Sequence, residues 1–207
     1  MSVSLAMLVR DPPLDRMAVL IDTVRPVVSE TVVVVDDRTS ASDCDALAAL
    51  GCRLVPFTWC DDFSAARNAA LPHTSGDWIL HLDPDEMPSP NMLDFIRMVR
   101  DSEWQSVSDW AGQHHYDPRG YLFWTTGPDG RSDIKVEHDW HCRLFRHDPR
   151  TRWYKPVHEQ VALEGLPESN TRETPLMQKA PRSAYLIHEG VGSTEKSALY
   201  SRLEARS

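Results

Sequence analysis

Trp78-Ile79-Leu80-His81-Leu82-Asp83-Pro84-Asp85-Glu86 constrains the chain more than any other stretch. Its apolar run predicts a buried strand, which three acids end abruptly. Carboxylates this close repel one another and favour either solvent or a cation. A hard divalent cation is one solution, since such ions take oxygen donors and commonly combine one or two carboxylates with phosphate oxygens. The other is a solvated turn whose acids cap the helix led by Pro88-Ser89-Pro90.

The chain before this stretch alternates regularly. Val3 to Val9 predicts a first strand, and Arg10-Asp11-Pro12-Pro13 predicts a loop into a helix carrying Leu14, Met17, Leu20, Ile21 and Val24. Thr31 to Val35 is β-branched without polar alternation, as expected of a strand covered on both faces. A second helix is expected from near Ser42 to Gly51, a third strand over Cys52 to Phe57, and a third helix opened by Asp61-Asp62-Phe63-Ser64. The resulting β-α-β-α-β-α-β order implies a mostly parallel sheet flanked by helices, with ligands at the carboxyl ends of its strands. Those ends carry Arg10, Asp36, Asp62, Asp83 and Asp85. No G-x-G-x-x-G follows the first strand, so phosphates must be met by metal and side chains and not by a glycine-rich turn.

Composition narrows the class. With 207 residues, 41% hydrophobic and 26% charged, the chain is long enough for one domain with a substantial core. A net charge of −9 opposes binding nucleic acid by broad phosphate neutralisation. No apolar run approaches the roughly 18 residues that span a bilayer, and residues 1–5 lack a signal-peptide layout, so the expected location is cytoplasmic. The cysteines Cys44, Cys52, Cys60 and Cys142 form no C-x-x-C and are expected to be free thiols.

Residues 90–103 predict a further helix, and the character changes after Trp104. Tyr121 to Trp124, the 127–130 turn and residues 134–136 suggest a hairpin or a loop excursion. Cys142 to Arg146, Trp153 to Val161 and Ala184 to His188 are strand candidates, and Leu199 to Ala205 a short helix. The expected organisation is a single domain over 1–207, with a shift in character near residue 104.

Trp59-Cys60-Asp61-Asp62-Phe63-Ser64-Ala65-Ala66-Arg67-Asn68-Ala69-Ala70-Leu71, Gly76 to Leu80, and Leu82 to Glu86 closely resemble the family 2 glycosyltransferases of the GT-A fold. The likeness continues through Arg143-Leu144-Phe145-Arg146 and Val157-His158-Glu159 to Ile187-His188-Glu189-Gly190. It implies a metal-assisted, inverting transfer of a sugar from a nucleotide-diphosphate donor, a UDP-sugar by family frequency, to an acceptor hydroxyl, with residues 1–103 as the nucleotide-sugar-binding half and 104–207 as the acceptor-side and C-terminal half. The same resemblance assigns Mn²⁺ or Mg²⁺ to Asp83, Asp85 and His188, with Asp85 the more direct ligand and Asp83 facing the ribose. It assigns Arg10, Asp36, Asp62, Arg67 and Asp83 to the donor, and Glu159 to general-base catalysis, with Asp139 as the weaker candidate. The chain departs from the family at Arg10-Asp11-Pro12 and at Asp36-Asp37-Arg38-Thr39-Ser40, where a glycine and a final Asp are usual.

Plainer readings stand beside these. Glu159 also suits a salt bridge with Lys155, and Arg143 and Arg146 suit either phosphate binding or a solvated strand face. His138-x-x-His141 is half of a zinc site without further ligands. Trp104, Trp110, Tyr116, Tyr121 and Trp124 suit either core packing or sugar stacking. A non-catalytic GT-A-like binding module is the main alternative function, and a nucleotidyltransferase is disfavoured by the missing glycine-rich loop.

Overall fold

Four consecutive valines set the layering. In β2 (Glu30–Asp36), Val33 and Val35 enter one hydrophobic core while Val32 and Val34 enter another. The strand is therefore covered on both faces, each fully buried valine contributing roughly 1.5–3 kcal/mol. The computed structural model describes residues 1–101, 119–127, 140–163, 177–188 and 201–203.

Around β2 the chain lays down β1 (Val3–Val9), β3 (Arg53–Phe57) and β4 (Trp78–His81). It then adds β5 (Glu86–Pro88), β6 (Gly120–Thr126), β7 (Trp140–Arg146), β10 (Met177–Lys179) and β11 (Tyr185–His188). The sheet runs β3-β2-β1-β4-β7-β6-β11-β5, with β10 beside β6. β3, β2, β1 and β4 are parallel, β7 runs against both β4 and β6, and β5 runs against β11. The sheet is mostly parallel, as the element order implied.

Helix α1 (Leu14–Val24) buries Met17, Leu20, Ile21 and Val24, α2 (Ala41–Ala49) buries Leu47, and α4 (Pro90–Asp101) buries Met92, Ile96 and Val99. All eight side chains enter the first core. The second core, on the other face, takes Ala70 of α3 (Phe63–Ala70) together with Trp153 of β8 (Thr151–Tyr154) and Val161 of β9 (Gln160–Leu163). Among the described residues no helix is long and apolar enough to cross a membrane.

Three expectations change. Trp153 to Val161 is two strands, because Lys155 (φ 73°) and His158 (φ 54°) take left-handed backbone that reverses the chain. Helix α2 begins one residue early, capped by Ser40, whose hydroxyl accepts the Asp43 amide at 3.1 Å. The acids of residues 83–86 do not cap α4; Ser89 does, accepting the Met92 amide at 3.2 Å. Glu86–Pro88 forms instead an edge strand against β11, a place where proline is tolerated. Of the expected hairpin or loop excursion, Tyr121 to Trp124 lies in β6, which pairs with β7 at Trp140–Arg146; residues 128–139, with the turn, the expected arm 134–136, His138 and Asp139, lie outside the described residues, as do Trp104, Trp110 and Tyr116. Of the last expected helix, residues 201–203 are helical and the rest is outside that range.

A polar node closes the amino-terminal edge. Glu30 Oε1 accepts the Ser4 hydroxyl at 2.6 Å, the Ser75 amide at 2.6 Å and the Ser75 hydroxyl at 2.8 Å, and the Gly76 amide donates to Ser4 Oγ at 2.8 Å. Burial pushes the Glu30 carboxyl up, but the serine hydrogen bonds outweigh it and hold it below its usual value. Gly76 lies so close that a Cβ there would meet Ser4 N at 2.6 Å and Ser4 Oγ at 2.7 Å. Gly76→Ala must therefore part β1 from the approach to β4, and is expected to destabilise by about 1–3 kcal/mol, read from the urea midpoint.

Candidate active site at the strand tips

The site is organised by α3. Asp62 caps it, its Oδ1 accepting the Ala65 amide at 3.0 Å and the Ser64 hydroxyl at 2.7 Å. One turn on, Arg67 and Asn68 reach the β8–β9 hairpin. Asn68 clamps the Trp153 backbone, donating to its carbonyl at 2.9 Å and accepting its amide at 2.8 Å. Arg67 donates from Nε to Glu159 Oε1 at 2.7 Å, and its Nη2 lies 2.5 Å from the same oxygen. Glu159 thus pairs with Arg67 and not with the neighbouring Lys155, whose Nζ donates to Gln160 Oε1 at 3.3 Å.

Arg67 also faces the acid-tipped strand. Its Nη1 lies 3.2 Å from Asp83 Oδ1 and donates to His81 Nε2, and its guanidinium stands 5.2 Å over the Trp153 ring. Burial works against its charge, yet Asp83 and Glu159 overcome that and bind its proton more firmly than in a free arginine. Burial likewise pushes the His81 imidazole down to about 3, reinforced by the Arg67 charge, so His81 is a neutral acceptor.

A second arginine arrives through a bulge. Tyr121 is opposite Leu144 but Leu122 is opposite Cys142, so Arg143 is the extra residue of β7. Bulges re-aim side chains, and this one carries Arg143 inward to Glu86 and to within 3.5 Å of Asp83 Oδ2. Arg143 is buried, so the solvated-face reading is corrected for it. Asp83 holds well below the usual carboxylate range: burial opposes its charge, but Arg67 and Arg143 stabilise it.

Asp85 is differently placed. Its Oδ2 lies 3.1 Å from His188 Nε2, and its carbonyl accepts Arg16 Nη2 at 2.9 Å. His188 reaches it because β11 pairs with β5 in the register His188↔Glu86. Carboxylate oxygen and imidazole nitrogen turned toward each other are a suitable donor pair for a divalent cation. Among the described residues no group of three or more His, Cys, Asp or Glu converges as a metal cage. A cation here would need oxygens from a ligand, as nucleotide-binding Mg²⁺ sites commonly do.

The remaining residues lie at the tips of β1 and β2. Asp36 is buried and gripped by Arg38, with Nε to Oδ1 at 2.8 Å, Nη2 to Oδ2 at 2.5 Å and the Arg38 amide to Oδ1 at 2.9 Å. These bonds hold the Asp36 carboxyl down to about 2. Arg10 is exposed and paired with Asp11 at 2.7 Å, and its carbonyl accepts the Thr39 hydroxyl at 2.7 Å.

Comparison with known proteins meets this geometry. The sequence pattern described as Glycosyl transferase family 2 matches residues 18–149. The chain belongs to glycosyl transferase family 2. A TPR repeat-containing protein of Synechococcus elongatus is 32% identical over 162 residues, 77% of this chain and 35% of its own length. The chain therefore spans about a third of that curated relative. Glucosyl-3-phosphoglycerate synthase from Mycobacterium tuberculosis, solved with Mn²⁺, UDP and phosphoglyceric acid, superposes with a TM-score of 0.58 at 14% identity, covering 99% of this chain and 76% of that one. S. aureus TarS superposes at 0.52 and 14% identity, over 100% of this chain and 39% of that one. These likenesses show the GT-A fold.

In this family 2 chain the structure brings together Arg67, Asp83 and Glu159, and separately Asp85 with His188. Arg10 and Asp36 sit at neighbouring tips, and Asp62 is occupied as a cap. Sequence reasoning missed His81 and the inward turn of Arg143; the one visible signal was a histidine inside the otherwise apolar run of β4. Replacing Arg67 by Met leaves Glu159 buried without its counter-ion and Asp83 with Arg143 alone, and Arg67→Met should lose about 3–5 kcal/mol in urea unfolding. For Asp36 the sign follows from its lowered pKa: the Arg38 contact stabilises above the ordinary value of about 4 and fades as pH falls toward about 2. The stability gap between wild type and Arg38→Met should shrink as pH is lowered from about 5 to about 2, and a constant gap would contradict the pairing.

Proposed function

We propose that the chain is a glycosyltransferase module that moves a sugar from a nucleoside-diphosphate donor, a UDP-sugar, to an acceptor hydroxyl with inversion and with help from a divalent cation. The observation that carries this reading is the Asp85–His188 pair at 3.1 Å beside Asp83, on the edge where the four parallel strands end. Family membership and the Mn²⁺ and UDP found in the mycobacterial relative support it.

In this reading Asp85 and His188 hold the cation, and the imidazole donor suits a first-row transition ion such as Mn²⁺ better than Mg²⁺. When bound, the cation neutralises charge developing on the diphosphate leaving group. Asp83, kept ionised by Arg67 and Arg143, accepts hydrogen bonds from the ribose. Asp36 and Arg10 border the nucleoside. Glu159 accepts the acceptor's proton through Oε2, because Oε1 is held by Arg67. A binding module without transfer is favoured by one observation, the grip of Arg38 on Asp36 where a nucleoside contact is expected.

Calorimetry with UDP and Mn²⁺ tests the reading. Wild type should bind UDP only with the metal, and Asp85→Ala and His188→Ala should each weaken binding about tenfold or more. Glu159→Gln should keep that binding and lose hydrolysis of UDP-sugar. Binding that ignores both metal and Asp85 removes the cation site, and absence of any hydrolysis in wild type leaves the binding module.

A further inference from the structure

Two tryptophans and two cations form a row that the donor site does not use. Trp124 and Trp140 are cross-strand partners on β6 and β7, their rings 5.5 Å apart and inclined at 73°. Lys179 Nζ stands 5.1 Å over Trp140 and the Arg182 guanidinium 4.7 Å over Trp124. Both tryptophans are half-buried and both cations exposed. Among the described residues neither cation forms a salt bridge, in a chain where 31 acids outnumber 22 basic residues. Trp124 is opposite Tyr185, so His188 lies three residues further along β11, about 10 Å at the rise of a strand.

We propose that Lys179, Trp140, Trp124 and Arg182 form an acceptor platform for a saccharide bearing a phosphate or carboxylate group. The indoles offer apolar surface to the C–H face of a sugar ring. The cations lean on those rings while their N–H groups remain in solvent, where an anionic substituent completes them by charge-assisted hydrogen bonds. A neutral sugar leaves that charge to water. Two cations in an acidic chain are too few to track a polyanion such as nucleic acid. That the bound saccharide serves as acceptor rests on the glycosyltransferase reading; the binding chemistry does not.

Glucose-6-phosphate, glucuronate, glucose and inorganic phosphate are the probes, titrated into the whole chain by calorimetry and followed by saturation-transfer NMR. Both acidic sugars should bind with their ring protons saturated, and glucose should bind about tenfold more weakly. Lys179→Gln and Arg182→Gln, both at exposed positions, should each weaken the acidic sugars about tenfold and leave glucose unchanged. Trp124→Leu should abolish ring-proton saturation. Equal affinity for glucose and glucose-6-phosphate, inorganic phosphate binding as tightly as the sugar phosphate, indifference to both charge variants, or no binding of any probe each overturns the platform. UDP and Mn²⁺ titrated into the same samples separate the failures. Intact UDP binding with no sugar binding removes the platform alone, and the reverse removes the donor site alone.

Discussion

A guanidinium buried against water must be surrounded by opposite charge, and Arg67 sets the arrangement of everything near the strand tips. Its contacts join helix α3, the end of β4 and the β8–β9 hairpin. At an effective dielectric near 20, a contact of this length is worth roughly 5 kcal/mol of attraction. Removing each ion from water costs several kcal/mol in return. The two largely cancel, so the cluster contributes little net stability while making any misplaced partner expensive. What it supplies is position, since Asp83 and Glu159 are both tied to one rigid fork.

That balance divides the acids into three kinds. Asp83 already has Arg67 at 3.2 Å and Arg143 at 3.5 Å, so it is ionised without any metal. Glu86 lies deeper: burial and the neighbouring Asp83 push its carboxyl up, against the pull of Arg143. It also ties the turn together, its Oε2 accepting the Asp83 amide at 3.0 Å and its own amide donating to the Asp83 carbonyl at 3.0 Å. Asp85 pairs through its carboxylate with the His188 imidazole, a nitrogen of a metal-ligand type. One short sequence thus holds a fixed anion, a structural brace and a carboxylate paired with an imidazole.

The strands and helices of residues 1–101 were legible because their apolar periodicity is regular, and the acid-tipped strand announced the site. The reason for Arg67 and Asn68 was not legible, since their partners lie 92 and 85 residues away. Of the two readings open for Arg143, the alternating solvated face fails because a bulge breaks the alternation, and no spacing rule reveals which residue a bulge will displace. Trp153 to Val161 read as one strand for a similar reason. Its reversal depends on left-handed backbone at Lys155 and His158, residues that rarely adopt it without tertiary support.

That support comes from α3. The Phe63 amide donates to the Pro156 carbonyl at 3.0 Å, inside the reversal, while Asn68 fastens Trp153 on one side and Arg67 fastens Glu159 on the other. The strained turn and the helix therefore stabilise one another, and Glu159 reaches the site only when both are formed. The division at residue 104 marks a change in sequence character and not a division of the site. Arg67, Asp83 and Asp85 come from one side of it, and Arg143, Glu159 and His188 from the other. Four ion pairs at the tips, Arg67–Glu159, Arg143–Asp83, Arg143–Glu86 and Asp85–His188, span that division, so the site can assemble only once both sides of the sheet are in register.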